Sequence, residues 1–401
     1  MSYRVYGGLF YKFWLWRKVA RQRMRPMAIE KVPNGIVVNE HSHGFGVFDD
    51  AFRFVKSSSQ VRGNNGQFIP KFAHDNIPYV DADAVFVGNV MPQFGHFLLE
   101  HMNRAYAALR PEYRNMKYVL INNDDVNPVP AYMYDLLMGL GVKKENILIL
   151  NQTTRFRNVF IPRQGYNLPR YSSVEFGATF DEIARNTTAE NPTGGAKKIY
   201  LSRAKLGSRR TYGEEKVQAI FAKNGFTIVY PETLPLAQQI AAVRDATVLA
   251  GCAGTALHLG LFMKPGGTVI QIKRNRVTKD NAPTQQLINE TKGLNGIFVN
   301  ASVESGKTDH CSNAPQVIGV NRNMLRFFDE NGFKYDAADV AMDAAAWNEY
   351  KMLSADYRRR YGSGFSIFMK HKLVRVSAWF IPGRERRGRW RNWLKGKLNI
   401  V

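Results

Sequence analysis

Cysteine is scarce in this chain: there are two in 401 residues, Cys252 and Cys311. One pair cannot build a disulfide framework, and its spacing fits no zinc motif, so both are expected to be ordinary reduced thiols. Long hydrophobic runs are missing as well. The apolar stretches are broken by charge well short of the ~20 residues that a membrane-spanning helix requires. The aromatic run near the N-terminus contains Lys12 and is followed by no small-residue cleavage site, so it does not read as a secretory signal. No Gly-x-Gly-x-x-Gly follows an early strand, which argues against a dinucleotide-dependent oxidoreductase, and no solenoid period recurs. Acid is nearly absent from the two ends. Residues 1–31 carry eight Lys and Arg against Glu30, and residues 358–401 carry thirteen against Glu385. Of the net charge of +23, +7 and +12 therefore sit at the ends and only +4 in residues 32–357.

The hydrophobic fraction of 45% is that of a globular protein, and the length suffices for two domains with a core each. The basic ends are rich in aromatic residues. Tyr3, Tyr6, Phe10, Tyr11, Phe13, Trp14 and Trp16 alternate with Lys12, Arg17, Lys18 and Arg21, and Trp379, Phe380, Trp390, Trp393, Leu394 and Leu398 stand among the C-terminal arginines. On a helix Trp390, Trp393, Leu394 and Leu398 share one face, with Arg389, Arg391 and Lys395 elsewhere. Such segments suit the surface of an anionic membrane. Trp14, Trp16, Arg17, Trp390, Trp393 and Lys395 are the expected contacts, and the expected location is cytoplasmic, peripheral at the inner face of the cell membrane. Solvated tails packed on the body are the plainer alternative. Nucleic acid is a third, but it leaves the near-neutral body unexplained and no nucleic-acid module is recognisable.

Between the ends, apolar runs alternate with amphipathic ones. Strands are expected at 84–90, 117–122, 147–150 and 159–161, with helices at 96–109 and 130–140. A break rich in Asn, Thr, Pro and Gly at 186–198 marks a boundary. A second alternating unit follows, with strands near 199–201, 227–230, 247–250 and 268–272. This predicts an α/β protein of two Rossmann-like, doubly wound domains facing a cleft. The divisions are a basic aromatic segment at 1–31, an acceptor domain at 32–190, a donor-binding domain at 191–335, and at 336–401 a helix crossing back to the first domain and a basic amphipathic tail.

Three segments carry the chemistry. In the first, Phe94-Gly-His-Phe-Leu-Leu-Glu-His-Met-Asn-Arg104, His96 and Glu100 lie four apart on one helix face beyond a strand end. Either could take a proton from a hydroxyl, although a capping or core histidine is the plain alternative. Zinc is disfavoured, because the sequence is not His-Glu-x-x-His. In the second, Ser202, Arg203, Lys205, Arg209 and Arg210 follow a strand; arginine forks fit phosphate, and a solvated basic loop is the alternative. In the third, Gly251-Cys-Ala-Gly254-Thr255-Ala256 turns a strand into a helix whose free amides and dipole suit an anion, although tight glycine turns without a ligand are common. Asp81-Ala-Asp83 precedes its strand, at the wrong end for a site, and reads as a turn.

In this order the segments resemble glycosyltransferase family 61. The resemblance rests on Gly95 to Glu100, on Leu201 to Arg210, and on Glu232 to Ile272 with its glycine turn, apolar helix and Pro-Gly turn into Val-Ile-Gln-Ile. It covers roughly residues 80–275. It departs from many members at Ala253, where His is usual, and at Gln271, where Glu is usual. The resemblance implies a fold of GT-B type, inverting transfer from a nucleotide sugar without a strict metal motif, and the bacterial branch associated with capsular and surface polysaccharides. His96 and Glu100 are then the catalytic pair. Ser202, Arg203, Lys205, Arg209, Arg210, Glu232, Gly251, Gly254, Thr255 and Ala256 bind the donor, and Gly95, Asn103 and Arg104 the acceptor. No cofactor or metal is expected; the expected partners are a nucleotide-sugar donor of the nucleoside diphosphate kind, a glycan or lipid-linked acceptor, and the membrane surface, with no nucleic acid. A catalytically inactive scaffold of a polysaccharide assembly is the alternative.

Overall fold

The computed structural model describes residues 3–40, 44–60, 71–122, 125–189, 195–206, 211–274, 281–303, 315–361, 364–382 and 384–398. The first strand, β1 (Tyr3–Tyr6), leads into helix α1 (Leu9–Val19). Strands β2 (Ile29–Pro33), β3 (Ile36–Glu40), β4 (Gly44–Phe48), β5 (Tyr79–Asn89), β6 (Lys117–Ile121), β7 (Ile147–Leu150) and β8 (Thr154–Pro162) form one sheet in the order β4-β3-β8-β5-β6-β7, with β2 also paired to β8. Strands β5 to β8 run parallel, as an alternating β/α pattern requires, while β2, β3 and β4 add antiparallel pairs, so this sheet is mixed.

A second sheet is parallel throughout. Strands β9 (Lys198–Leu201), β10 (Thr227–Val229), β11 (Val248–Cys252), β12 (Thr268–Lys273) and β13 (Asn295–Asn300) lie in the order β1-β13-β12-β11-β9-β10. Their runs are apolar because both faces are covered by helices. The chain leaves β9 for β10 on one side, then crosses to β11 on the other. The carboxyl ends of β9 and β11 are thus a topological switch point, where doubly wound sheets bind ligands.

Within the expected segment 1–31, residues 3–19 join the second sheet and its cover instead of standing apart. Tyr3–Tyr6 pairs in parallel with Gly296–Val299 and completes the edge of the second sheet, and Tyr11 and Leu15 of α1 are buried against Ala282 and Phe298. Burying Leu15 alone is worth roughly 1.5–3 kcal/mol. The C-terminal part also differs from one long crossing helix. A short turn at Ala337–Val340 precedes α7 (Ala344–Tyr361), and Ala346, Trp347 and Tyr350 pack on Tyr212 and Val317 of the second unit. Helices α8 (Gly364–Trp379) and α9 (Arg384–Lys397) form a hairpin.

The two sheets share a helical layer. Helix α3 (Val174–Ala189) places Phe176 and Phe180 in one continuous core with Val85 and Leu98 of the first unit and Leu201, Leu249 and Leu257 of the second. Polar contacts tie the same layer: Lys292 to Asp181, Thr291 Oγ1 to Ser172 Oγ at 2.7 Å, and Tyr166 Oη donating to the Thr284 carbonyl at 3.1 Å.

Candidate active site

Both units bring their strand ends to one place. After β5 the chain turns at Phe94–His96 and runs on irregularly, as a π turn over Phe97–His101 and a 3₁₀ helix over Met102–Leu109, where one α-helix was expected. After β11 it turns at Gly254 into a 3₁₀ helix, Thr255–Phe262. The two turns meet. A β-carbon on Gly95 would lie 2.6 Å from Thr255 Cγ2 and 2.7 Å from its Oγ1. Only glycine fits at 95, and its place is the seam between the units.

Beside this seam lies a cavity of about 560 Å³. Phe94, Tyr132 and Asp135 line it from the first unit; Ser202, Arg203, Glu232, Thr255 and Ala256 line it from the second. Five residues singled out from the sequence thus share one cavity. Arg203 is set at the end of β9 by its backbone N–H, which donates to Glu214 Oε1 at 3.1 Å. Its guanidinium lies over the glycine turn: a β-carbon on Gly254 would stand 2.9 Å from Arg203 Nη1. Arg203 Nε is buried and finds no hydrogen-bond partner among the described residues. A buried charged donor without a partner is rare and points to an anion as its complement. The first amides of the 3₁₀ helix at Thr255, which have no partner within the helix, suit the same kind of ligand.

His96 Nδ1 is 2.5 Å from Glu100 Oε1. The side chain of His96 is 41% exposed and that of Glu100 only 14%, so the carboxylate is held while the ring can be reached. A carboxylate that accepts from Nδ1 leaves Nε2 as the basic nitrogen. His258 lies nearby on the Thr255–Phe262 helix. Burial, then the closeness of His96, pushes its pKa down to about 4, against a hydrogen bond to Gln285 at 3.1 Å that raises it, so it is neutral near pH 7.

Other residues fall elsewhere. Asn103 is fully buried, and its amide donates to the carbonyls of Leu99, Glu100 and Tyr166. Arg104 is also fully buried and is spent on the carbonyls of Pro162, Ser57 and Ser59 and on Gln60 Oε1. Burial lowers its pKa to about 10, which leaves it charged. Neither side chain faces a solvent cleft; Asn103 braces the backbone at Leu99 and Glu100, and Arg104 ties the Ser57–Gln60 stretch to Pro162. Gly251 lies inside β11, paired with Leu201. Lys205 is exposed, over the Tyr230 ring at 4.2 Å. Arg209 and Arg210, like Cys311, lie outside the described residues. Asp81 and Asp83 sit within β5 rather than in a turn, and both pair with Arg157. Among the described residues no cluster of three His, Cys, Asp or Glu is placed to hold a metal ion.

Sequence reading passed over Tyr132, Asp135, His258 and Glu214. Glu214 is fully buried beneath the glycine turn, accepting from Arg203 N–H and from Tyr200 Oη at 3.3 Å, with Tyr200 Oη 3.8 Å from Cys252 Sγ. Burial raises its pKa to about 7, and burial likewise pushes the Cys252 thiol up. Burial also raises the pKa of Asp135.

Residues 94–270 match the family model described as Glycosyltransferase 61. Over this stretch, somewhat under half of the chain, the protein is similar to that glycosyltransferase family. The match begins at the Phe94 turn and ends in β12, so it encloses the His96–Glu100 pair, Arg203 and the glycine turn. No curated protein matches the chain. The match points to a transferase, and members of such a family act on a sugar donor and an acceptor.

Proposed function

We propose that the chain is an inverting glycosyltransferase that moves a sugar from a nucleoside diphosphate sugar to a hydroxyl of a glycan or lipid-linked acceptor in surface polysaccharide synthesis of the capsular or lipopolysaccharide type. The observation that carries this reading is the interface cavity, lined by Arg203, whose buried Nε has no hydrogen-bond partner among the described residues, with the Gly95–Thr255 seam beside it. The meeting of the turn after β5 with the switch point at β9 and β11 beside one cavity fits a GT-B arrangement.

In this mechanism the donor diphosphate lies against Arg203 and the amides at Thr255, which stabilise the charge that grows on the leaving phosphate. Asp135 and Glu232 supply acceptors for sugar or ribose hydroxyls. His96 Nε2 takes the proton of the acceptor hydroxyl as its oxygen attacks the anomeric carbon from the face opposite the diphosphate, and Glu100 stabilises the imidazolium. The Asp81–Asp83 pair, held by Arg157 near the amino end of β5, takes no part, and the reaction is proposed to proceed without metal.

Thermal unfolding of the full chain against a panel of nucleoside diphosphates and nucleotide sugars tests the donor site. A ligand that binds only the folded state raises the midpoint. The expected result is a rise with one nucleotide that disappears in Arg203→Ala. Equal midpoints across the whole panel would favour an inactive scaffold.

A further inference from the structure

We propose that α1 and the α8–α9 hairpin form two faces that seat the protein on an anionic lipid bilayer. Helices α1 and α8 each bury one side and leave a large apolar side uncovered, and α9 adds Trp393. On α1, Tyr11 and Leu15 point inward and Trp14 is half-buried, while Leu9 is 84% and Phe10 86% exposed, with Phe13 and Trp16 exposed on the same outer side. On α8, Val374 and Ala378 are buried, while Met369, Leu373 and Val376 are exposed at helical spacing, and Trp379 and Phe380 continue the outer side at 79% and 82% exposure. Isolated apolar side chains on a surface are ordinary, but these are contiguous rows.

The surroundings identify the occupant. Residues 364–398 carry ten Lys and Arg and one acid, Glu385. Arg386 and Arg389 stand beside Trp390, Trp393 and Ile381 around a shallow groove of about 340 Å³. Trp390 is fixed by donation from Nε1 to Ser377 Oγ at 3.0 Å, and its ring lies 4.9 Å from that of Trp393. Two guanidinium groups next to two indoles suit a phosphate headgroup above its glycerol and acyl chains. A second copy of the chain would bring the same positive charge to the same face. Nucleic acid would meet the arginines but would gain nothing from Leu9, Met369, Leu373 and Val376. No described helix is long and apolar enough to cross a membrane, so these helices would lie in the interface plane.

The test uses the full chain with sedimenting vesicles of phosphatidylcholine alone or mixed with phosphatidylglycerol, and does not depend on the donor site. The expected result is partition to the mixed vesicles, weakened by salt, with the tryptophan emission shifted to the blue. The variant Leu373→Ser/Val376→Ser/Trp379→Ser should partition on the order of tenfold less or weaker still, because membrane affinity scales with buried apolar area. The variant Phe10→Ser/Phe13→Ser probes the other face independently. Absence of the wild-type chain from the mixed-vesicle pellet would overturn the proposal. So would equal partition of both folded variants, or a stable dimer that buries these rows in solution.

Discussion

Replacing Gly95 by alanine perturbs the seam between the two units with a single methyl group. That carbon would stand 2.6 Å from Thr255 Cγ2 and 3.2 Å from Thr255 Cβ, where ordinary carbon contacts are about 3.5–4 Å. Thr255 cannot swing aside easily, because a β-branched side chain is stiff at χ1. One of the two turns must therefore shift by about 1 Å, and overpacking of this kind costs about 1–3 kcal/mol. The double variant Gly95→Ala/Thr255→Ala removes both Cγ2 and Oγ1, so the pair should show a favourable coupling of at least about 1 kcal/mol in a double-mutant cycle. Urea unfolding followed by circular dichroism and tryptophan fluorescence measures it, with an unchanged slope confirming that only stability moved. A wild-type midpoint for Gly95→Ala, or strictly additive effects in the cycle, would show that Thr255 does not crowd position 95.

Arg104→Met should destabilise the fold by about 3–5 kcal/mol, because it strips buried carbonyls of their donor; nucleotide affinity per folded molecule should stay within a few-fold, as calorimetry would show. Glu214 has its pKa raised from 4.5 to about 7, so the folded state holds a proton that the unfolded chain releases between those values. Its contribution to stability is complete below pH 4.5 and is lost as pH rises through about 7, on the order of 3 kcal/mol in all. Glu214→Gln should lack that slope, and urea midpoints from pH 4 to 8 would show it. His96→Ala should lower turnover by ~10²–10⁴ while leaving donor binding intact, and Glu100→Gln should do so by less, both read in steady-state kinetics.

Much of this was legible in the sequence where the signal is local. Strands β6, β7, β9 and β12 fall within a residue or so of their apolar runs, and the residues just past β9 and β11 converge because parallel strands deliver their carboxyl ends to one edge. Non-local matters were hidden. Nothing in Tyr3–Tyr6 says that it will pair with a strand almost three hundred residues away, and its basic, aromatic neighbours looked like a separate tail. Arg104 was expected to bind the acceptor, and only the ring of carbonyls around it explains its burial. Tyr132 and Asp135 belong to a helix without any motif; they matter only because that helix faces the Pro231–Leu236 stretch across the cavity. Trp14 and Trp16 were equals in the sequence, but one turns toward the α1 core and the other to solvent.

The most direct test of the central claim is release of nucleoside diphosphate from nucleotide sugars by the purified full chain, supplied with a cell-envelope glycolipid extract as acceptor. The expected result is acceptor-dependent release with one donor, transfer of its sugar with inversion at the anomeric carbon, and loss of both in His96→Ala and in Arg203→Ala. Release that continues undiminished in both folded variants would contradict it, because the chemistry would then lie outside the cavity and the His96–Glu100 pair.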